Sequence, residues 1–155
     1  MTSVISLKKA SAGDIKFLWQ LRNQADIYRY SRNPNTVAWP EHIKWAVPVI
    51  SGLANKSLYV IRFKGARAGQ IRFDFDELDT QTVEISISIY KKFHGQGIGT
   101  KALKRGISIL KRKAKIKQLI AEAHKDNAAS IRLFEKLDFK LKSKKNVWRL
   151  YIKRI

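Results

Sequence analysis

Three glycines at alternate positions in His94-Gly95-Gln96-Gly97-Ile98-Gly99-Thr100, set between an alternating strand and an amphipathic helix, narrow the choice of fold more than any other stretch. Glycines there let backbone amides approach an anion closely. The helix behind them adds unpaired N–H groups and the positive end of its dipole. A phosphate or pyrophosphate fits this arrangement, with a plain glycine-rich turn as the simpler alternative. No GKS or GKT ends the run, which excludes a nucleotide P-loop. It also comes late, after antiparallel strands, instead of opening a βαβ unit, and this argues against a dinucleotide fold.

The elements around the run read as α/β. VISLKKA is an opening strand, and Ser11 with Asp14 three residues on forms a capping box that starts a helix over about 12–26. Ile15, Leu18, Trp19 and Leu21 share one face of it, so Trp19 reads first as core. IYRYSRNPNTVAWP suits an ordered loop of the kind that lines pockets. Pro40 starts a short helix, which is expected to be interrupted at Pro48 and to finish near Gly52. SLYVIRF, AGQIRFDF and QTVEISISIY then form an antiparallel meander with a turn at Gly65. In the last of these Ile85, Ile87 and Ile89 alternate with Glu84, Ser86 and Ser88, which turns Glu84 away from the isoleucines. After the basic helix come a buried strand KQLIAEAH, a helix beginning near Asp126, and closing strands around FKLKS and VWRLYIK.

With 155 residues there is room for one domain, 1–155, and 45% hydrophobic content is enough for a core. No run approaches a membrane span, and the start MTSVISLKK lacks the apolar stretch of a secretory signal, so a cytoplasmic location is the expectation. The absence of cysteine excludes disulfide, thiolate-metal and cysteine-nucleophile chemistry, and His42, His94 and His124 make no zinc motif. The balance of 32 basic against 12 acidic side chains gives a net charge of +20, most of it carried by residues 101–155. Lys101, Lys104, Arg105, Lys111, Arg112, Lys113, Lys115 and Lys117 surround Leu103, Ile107 and Leu110 at helical spacing. Such a field attracts polyanions. Without basic–aromatic alternation or a nucleic-acid motif, contact with nucleic acid or a ribosome is not favoured over a solvated helix.

The glycine run resembles the coenzyme motif of the GNAT acetyltransferase superfamily, Q/R-x-x-G-x-G/A, with Gly97 and Gly99 on the motif glycines and His94 where Gln or Arg is usual. A second signature is similar as well: Asn127, Ser130 and Phe134-Glu135-Lys136-Leu137-Asp138-Phe139. Here Asp138 stands for the common glycine, and Asp tolerates a left-handed backbone. The resemblance spans almost the whole chain and implies the GNAT fold, a mixed and mostly antiparallel sheet of about seven strands flanked by helices. It implies acetyl-CoA as cofactor, with the pyrophosphate on His94, Gly95, Gln96, Gly97, Ile98, Gly99 and Thr100 and the pantetheine arm along Ile87, Ser88 and Ile89. Asn127 would orient the coenzyme or cap a helix, and Phe134 occupies a coenzyme-side position where many members carry tyrosine.

Acetyl transfer to an amine requires a base, a polarised carbonyl and a proton for the leaving thiol. Glu84, on the polar face of the strand leading into the loop, is the candidate base, directly or through water; a surface carboxylate is the alternative. A phenyl ring donates no proton, so Ser130, Tyr90, water or the amine itself must replace the tyrosine.

The N-terminal half bears a narrower resemblance, through Trp19-Gln20-Leu21-Arg22-Asn23, Tyr30-Ser31-Arg32-Asn33, Glu41-His42-Ile43-Lys44-Trp45 and Gly69-Gln70-Ile71-Arg72-Phe73-Asp74. It points to the GNAT branch that acetylates a UDP-linked 4-amino sugar in pseudaminic acid biosynthesis. That implies an acceptor site of Arg22, Asn23, Arg32, His42, Trp45 and Arg72: arginines for a diphosphate, an aromatic for stacking, amide and imidazole for hydroxyls. The same features also occur loosely in ribosomal-protein N-terminal acetyltransferases. A non-enzymatic acyl-CoA-binding or nucleic-acid-binding module is the remaining alternative.

Overall fold

A computed structural model of the chain describes residues 4–155, so the first three residues of the MTSVISLKK start lie outside it. The strands β1 (Ile5–Lys9), β2 (Lys56–Phe63), β3 (Ala66–Phe75), β4 (Thr82–Ile89), β5 (Gln118–His124), β6 (Lys140–Lys145) and β7 (Trp148–Arg154) join in one sheet, ordered β1-β2-β3-β4-β5-β7-β6. Every neighbouring pair is antiparallel except β4 and β5. This is the mixed, mostly antiparallel sheet expected, with the meander running through β2, β3 and β4.

Alternation along the strands sends side chains to two helical layers. On one face Val83, Ile85, Ile71 and Phe73 pack with Leu103, Ile107 and Leu110 of α4 (Ile98–Lys111). The approach is close enough that a Cβ on Gly106 would stand 2.7 Å from Ile71 Cδ1. The apolar stripe of the basic helix is therefore core, and its lysines face solvent. On the other face Leu58 and Val60 meet Leu18 of α1 (Ile15–Arg22) and Val49 and Trp45 of α3 (Trp39–Ile50). Ile131, Leu133 and Phe134 of α5 (Ala128–Lys136) pack into the first core.

The first helix departs from the sequence expectation. The capping box of Ser11 and Asp14 forms, but it opens a 3-10 turn over Ala12–Asp14, and α1 stops at Arg22. Gln24 is extended, and a four-residue helix α2 (Ala25–Tyr28) follows. The break falls where Asn23 turns its side-chain amide to Val37, a tertiary contact that overrides local propensity. Conversely, Pro48 does not interrupt α3, which continues to Ile50. Pro48 forgoes one bond in the last turn, while its carbonyl accepts the Leu53 and Ala54 amides at 2.9 and 3.0 Å. Among the described residues, no helix is long and apolar enough to cross a membrane.

Candidate active site

The sheet opens at one place. β4 and β5 pair in parallel only through Thr82–Gln118, Val83–Leu119 and Glu84–Ile120, although β4 runs on to Ile89 and β5 to His124. Beyond Glu84 the two strands diverge. The Tyr90 N–H donates to the Ala68 carbonyl on β3 (2.7 Å), so strand alternation turns the backbone groups of Ile87 and Ile89 the other way, into the gap. Ser88 has its backbone toward β3 and its side chain on the α1–α3 face, where it lines a cavity. Position 69 on β3 has room for glycine alone, since a Cβ there would stand 2.2 Å from the Ser88 carbonyl oxygen.

The glycine run sits at the end of this gap. Gly95 and Gly97 have φ of +77° and +73°, a left-handed backbone that glycine adopts without strain. Gly97 is the N-cap of α4, and no side chain caps that helix. The first intrahelical bond runs from Lys101 N–H to the Gly97 carbonyl, which leaves the amides of Ile98, Gly99 and Thr100 without helical acceptors. Space beside Gly95 and Gly97 is open, while Gly99 touches Leu133 of α5. His94 turns back: its Nε2 lies 2.8 Å from the Ile89 carbonyl and fastens the loop to the strand end. Gln96 and Thr100 complete the turn into the helix.

At the start of α5, Asn127 is the N-cap, its Oδ1 accepting from Ser130 N–H (3.2 Å). Ser130 is half-buried in the first turn. Phe134 is 2% exposed and packs against Phe139 and Tyr151, so its ring belongs to the core beneath α5.

On the α1–α3 face a cavity of about 470 Å³ lies between the sheet, the two helices and residues 33–38; Arg22, His42, Trp45, Gln70, Arg72 and Ser88 supply most of its polar and aromatic lining. Arg22 donates to the carbonyls of Asn33 (2.8 Å) and Asn35 (3.1 Å). Among the described residues no carboxylate pairs with it, and burial presses against its charge. Asn23 grips Val37 reciprocally, donating to its carbonyl (2.9 Å) and accepting its N–H (2.7 Å), and the Trp19 indole N–H also donates to that carbonyl (2.7 Å). Asn23 therefore shapes the loop that roofs the cavity instead of lining it. His42 is buried with Nε2 3.1 Å from the Ile15 carbonyl; burial, with Arg22 adding to it against that bond, holds it below the ordinary imidazole range. Arg72 stacks over Trp45 and is bound to Asp74 through both Nε and Nη2. Arg32 lies elsewhere: its guanidinium bonds both carboxylate oxygens of Glu122 and stacks on Trp148. The three arginines thus do not converge on one diphosphate.

Glu84 closes the inner end of the gap. Burial raises its carboxyl above the ordinary range, the Asp74 and Glu122 carboxylates push the same way, and Arg72 and Lys56 oppose them. Sequence reasoning missed the opposite wall. Glu122 and His124 lie on β5 past its last pairing with β4, with Trp148 opposite His124 on β7 and Tyr30 against the His124 ring. Strand alternation in KQLIAEAH was the available signal, since it places Glu122 and His124 on the face opposite Ala121 and Ala123.

A family model described as an acetyltransferase (GNAT) domain matches residues 5–140, and the chain belongs to the GNAT acetyltransferases. It is an N-acetyltransferase that uses acetyl-CoA. RimL, a ribosomal L7/L12 alpha-N-protein acetyltransferase solved with coenzyme A, is similar in structure at 19% identity and TM-score 0.84, over 99% of this chain and 96% of that one. A domain from Methanocaldococcus jannaschii is similar at 24% identity and TM-score 0.85, over 99% and 100%. Aminoglycoside acetyltransferase AAC(6')-Ib with coenzyme A is similar at 15% identity and TM-score 0.83, over 97% and 94%. No curated protein sequence matches the chain. The uncapped α4 start, with two left-handed glycines and open space before it, fits the pyrophosphate of the cofactor.

Proposed function

We propose that this enzyme acetylates the primary amine of a nucleotide-linked amino sugar, with a UDP-linked 4-amino sugar of pseudaminic acid-type biosynthesis as acceptor. The carrying observation is Arg22, a guanidinium lining a cavity walled by Trp45, with no carboxylate partner among the described residues. Glu41 also lines the cavity but makes no ion pair with Arg22, and a cation left without a paired carboxylate beside an aromatic wall suits a nucleotide's phosphates and base. The net charge of +20 also favours an anionic acceptor over a polycationic aminoglycoside.

Acetyl-CoA supplies an activated acetyl group and a thiol leaving group. The amides of Ile98, Gly99 and Thr100 would hold its pyrophosphate, with Gly95 and Gly97 keeping the approach clear. The backbone of Ile87 and the N–H of Ile89 would hold the pantetheine arm, while His94, bound to the Ile89 carbonyl, fixes the strand end. Glu84 Oε accepts the amine proton through water, its raised pKa making it a stronger base. Ser130 Oγ, beside the Asn127 cap, holds the proton destined for the leaving thiol. Gln70, His42 and Arg72 orient the acceptor inside the cavity.

Thermal-shift measurement with UDP, a UDP-linked 4-amino sugar and a basic peptide, paired with free-thiol titration, tests this reading. Stabilisation by UDP and thiol release with the amino sugar are expected. Stabilisation and thiol release with the peptide alone would replace the nucleotide by a protein N-terminus.

A further inference from the structure

The chain has 12 acidic residues against 32 basic ones, yet three of the twelve gather at the inner end of the β4–β5 gap. Asp74 stands opposite Glu84 in the β3–β4 register, and Glu122 follows two residues after Ile120, the last β5 partner of β4. Two residues of strand place it about 7 Å beyond the point of divergence. Its alternation with buried Ala121 and Ala123 turns the side chain to the face that also carries the acceptor cavity. Glu122 keeps 26% of its side-chain surface exposed; His124, two residues along the same strand face, carries the rings of Tyr30 and Trp148 against its own, and Trp148 also stacks on the guanidinium that Glu122 binds. A partly desolvated carboxylate beside aromatic faces is a site for an ammonium group.

The site already holds a cation. Arg32 binds Glu122 through Nε (2.8 Å) and Nη2 and lies 4.4 Å from the Trp148 ring centre, on the segment between α2 and α3 that also roofs the cavity. The Arg32 side chain is 65% exposed, and among the described residues only the Glu122 carboxylate and the Trp148 ring hold it.

We propose that Glu122 is the anchor for the acceptor's ammonium and that Arg32 is its placeholder: the incoming amine replaces the guanidinium, which is thereby released toward the acceptor's anionic part. One cation exchanges for another on the carboxylate, so the charge at Glu122 is conserved. An acceptor carrying both an ammonium and a phosphate satisfies both partners of the broken pair, whereas either group alone leaves one unsatisfied. This rests on the reading of the chain as an amine acetyltransferase, and it deepens the nucleotide reading without requiring it.

Opposite responses in two variants test it. Acetyl transfer is followed by thiol release with a UDP-linked 4-amino-4-deoxyhexose and with the free 4-amino-4-deoxyhexose, and UDP binding is measured by calorimetry. Glu122→Gln is expected to raise KM for both amines about tenfold, the scale of one charged hydrogen bond, while UDP binds at least as tightly because Arg32 is already free. Arg32→Met is expected to lower KM for the free amino sugar and to weaken UDP. KM for acetyl-CoA stays unchanged in both, which separates exchange from a general loss of structure. If UDP fails to bind the wild type while the free amino sugar keeps these opposite shifts, the nucleotide reading falls and the exchange stands. Shifts of the same sign in both variants, an unchanged amine KM in Glu122→Gln, or a wild type that acetylates neither amine would overturn the exchange.

Discussion

Asp74 of β3 and Glu84 of β4 are directly opposed in the sheet, two carboxylates in one cross-strand pair. Like charges so placed are unfavourable, and the sheet tolerates them because Arg72 and Lys56 both bind Asp74. Among the described residues Glu84 has no such pairing, and its carboxyl is raised by burial first and by Asp74 and Glu122 second. The folded chain thus holds the Glu84 proton more tightly than the unfolded chain does. The stability this gives is present at low pH and is lost as pH rises through the Glu84 titration. We expect Glu84→Gln to raise Tm at neutral pH, with the gain closing as the pH is lowered, and to reduce kcat by about 10²–10⁴-fold as a lost general base. Melting curves across pH and steady-state kinetics check the two halves.

Phe134 tests the missing acid. Restoring the hydroxyl with Phe134→Tyr would place it in a core of Phe139 and Tyr151. Chemical denaturation should show a loss of about 1–3 kcal/mol for a buried unpaired hydroxyl, with no rise in kcat. Ser130→Ala should lower kcat without that loss of stability.

Gly97 adopts φ +73° at the N-cap of α4. Gly97→Ala should cost roughly 1–2 kcal/mol in the left-handed conformation and weaken coenzyme A binding. Denaturation and calorimetry on the same variant measure both effects.

Asn23 accepts the Val37 N–H and shares the Val37 carbonyl with the Trp19 indole N–H. Asn23→Ala should speed exchange of the Val37 amide and raise acceptor KM, with a stability loss of about 1 kcal/mol for the lost bonds. KM for acetyl-CoA should not move, because the loop roofs only the cavity on the α1–α3 face.

What could be read in the sequence was what local chemistry decides. Alternation in QTVEISISIY set the two faces of β4, and the glycine run located the α4 start, because backbone conformation depends on neighbouring residues. The roles of Arg22 and Asn23 were not legible, since their partners are backbone groups of residues 33–37 whose position only the tertiary fold decides. Arg32 and Glu122 are 90 residues apart, and no pattern in either segment signals their pairing. The burial of Phe134 was legible in its helical spacing, since Ile131 three residues before it and Leu137 three residues after it extend one apolar face.

The most direct measurement is the crystal structure of the protein with coenzyme A. The pyrophosphate should lie against the amides of Ile98, Gly99 and Thr100, with the thiol end between β4 and β5 on the Glu84 and Glu122 side. A coenzyme bound away from the glycine run, or a thiol end outside the β4–β5 gap, would contradict the assignment of the acetyl-transfer site.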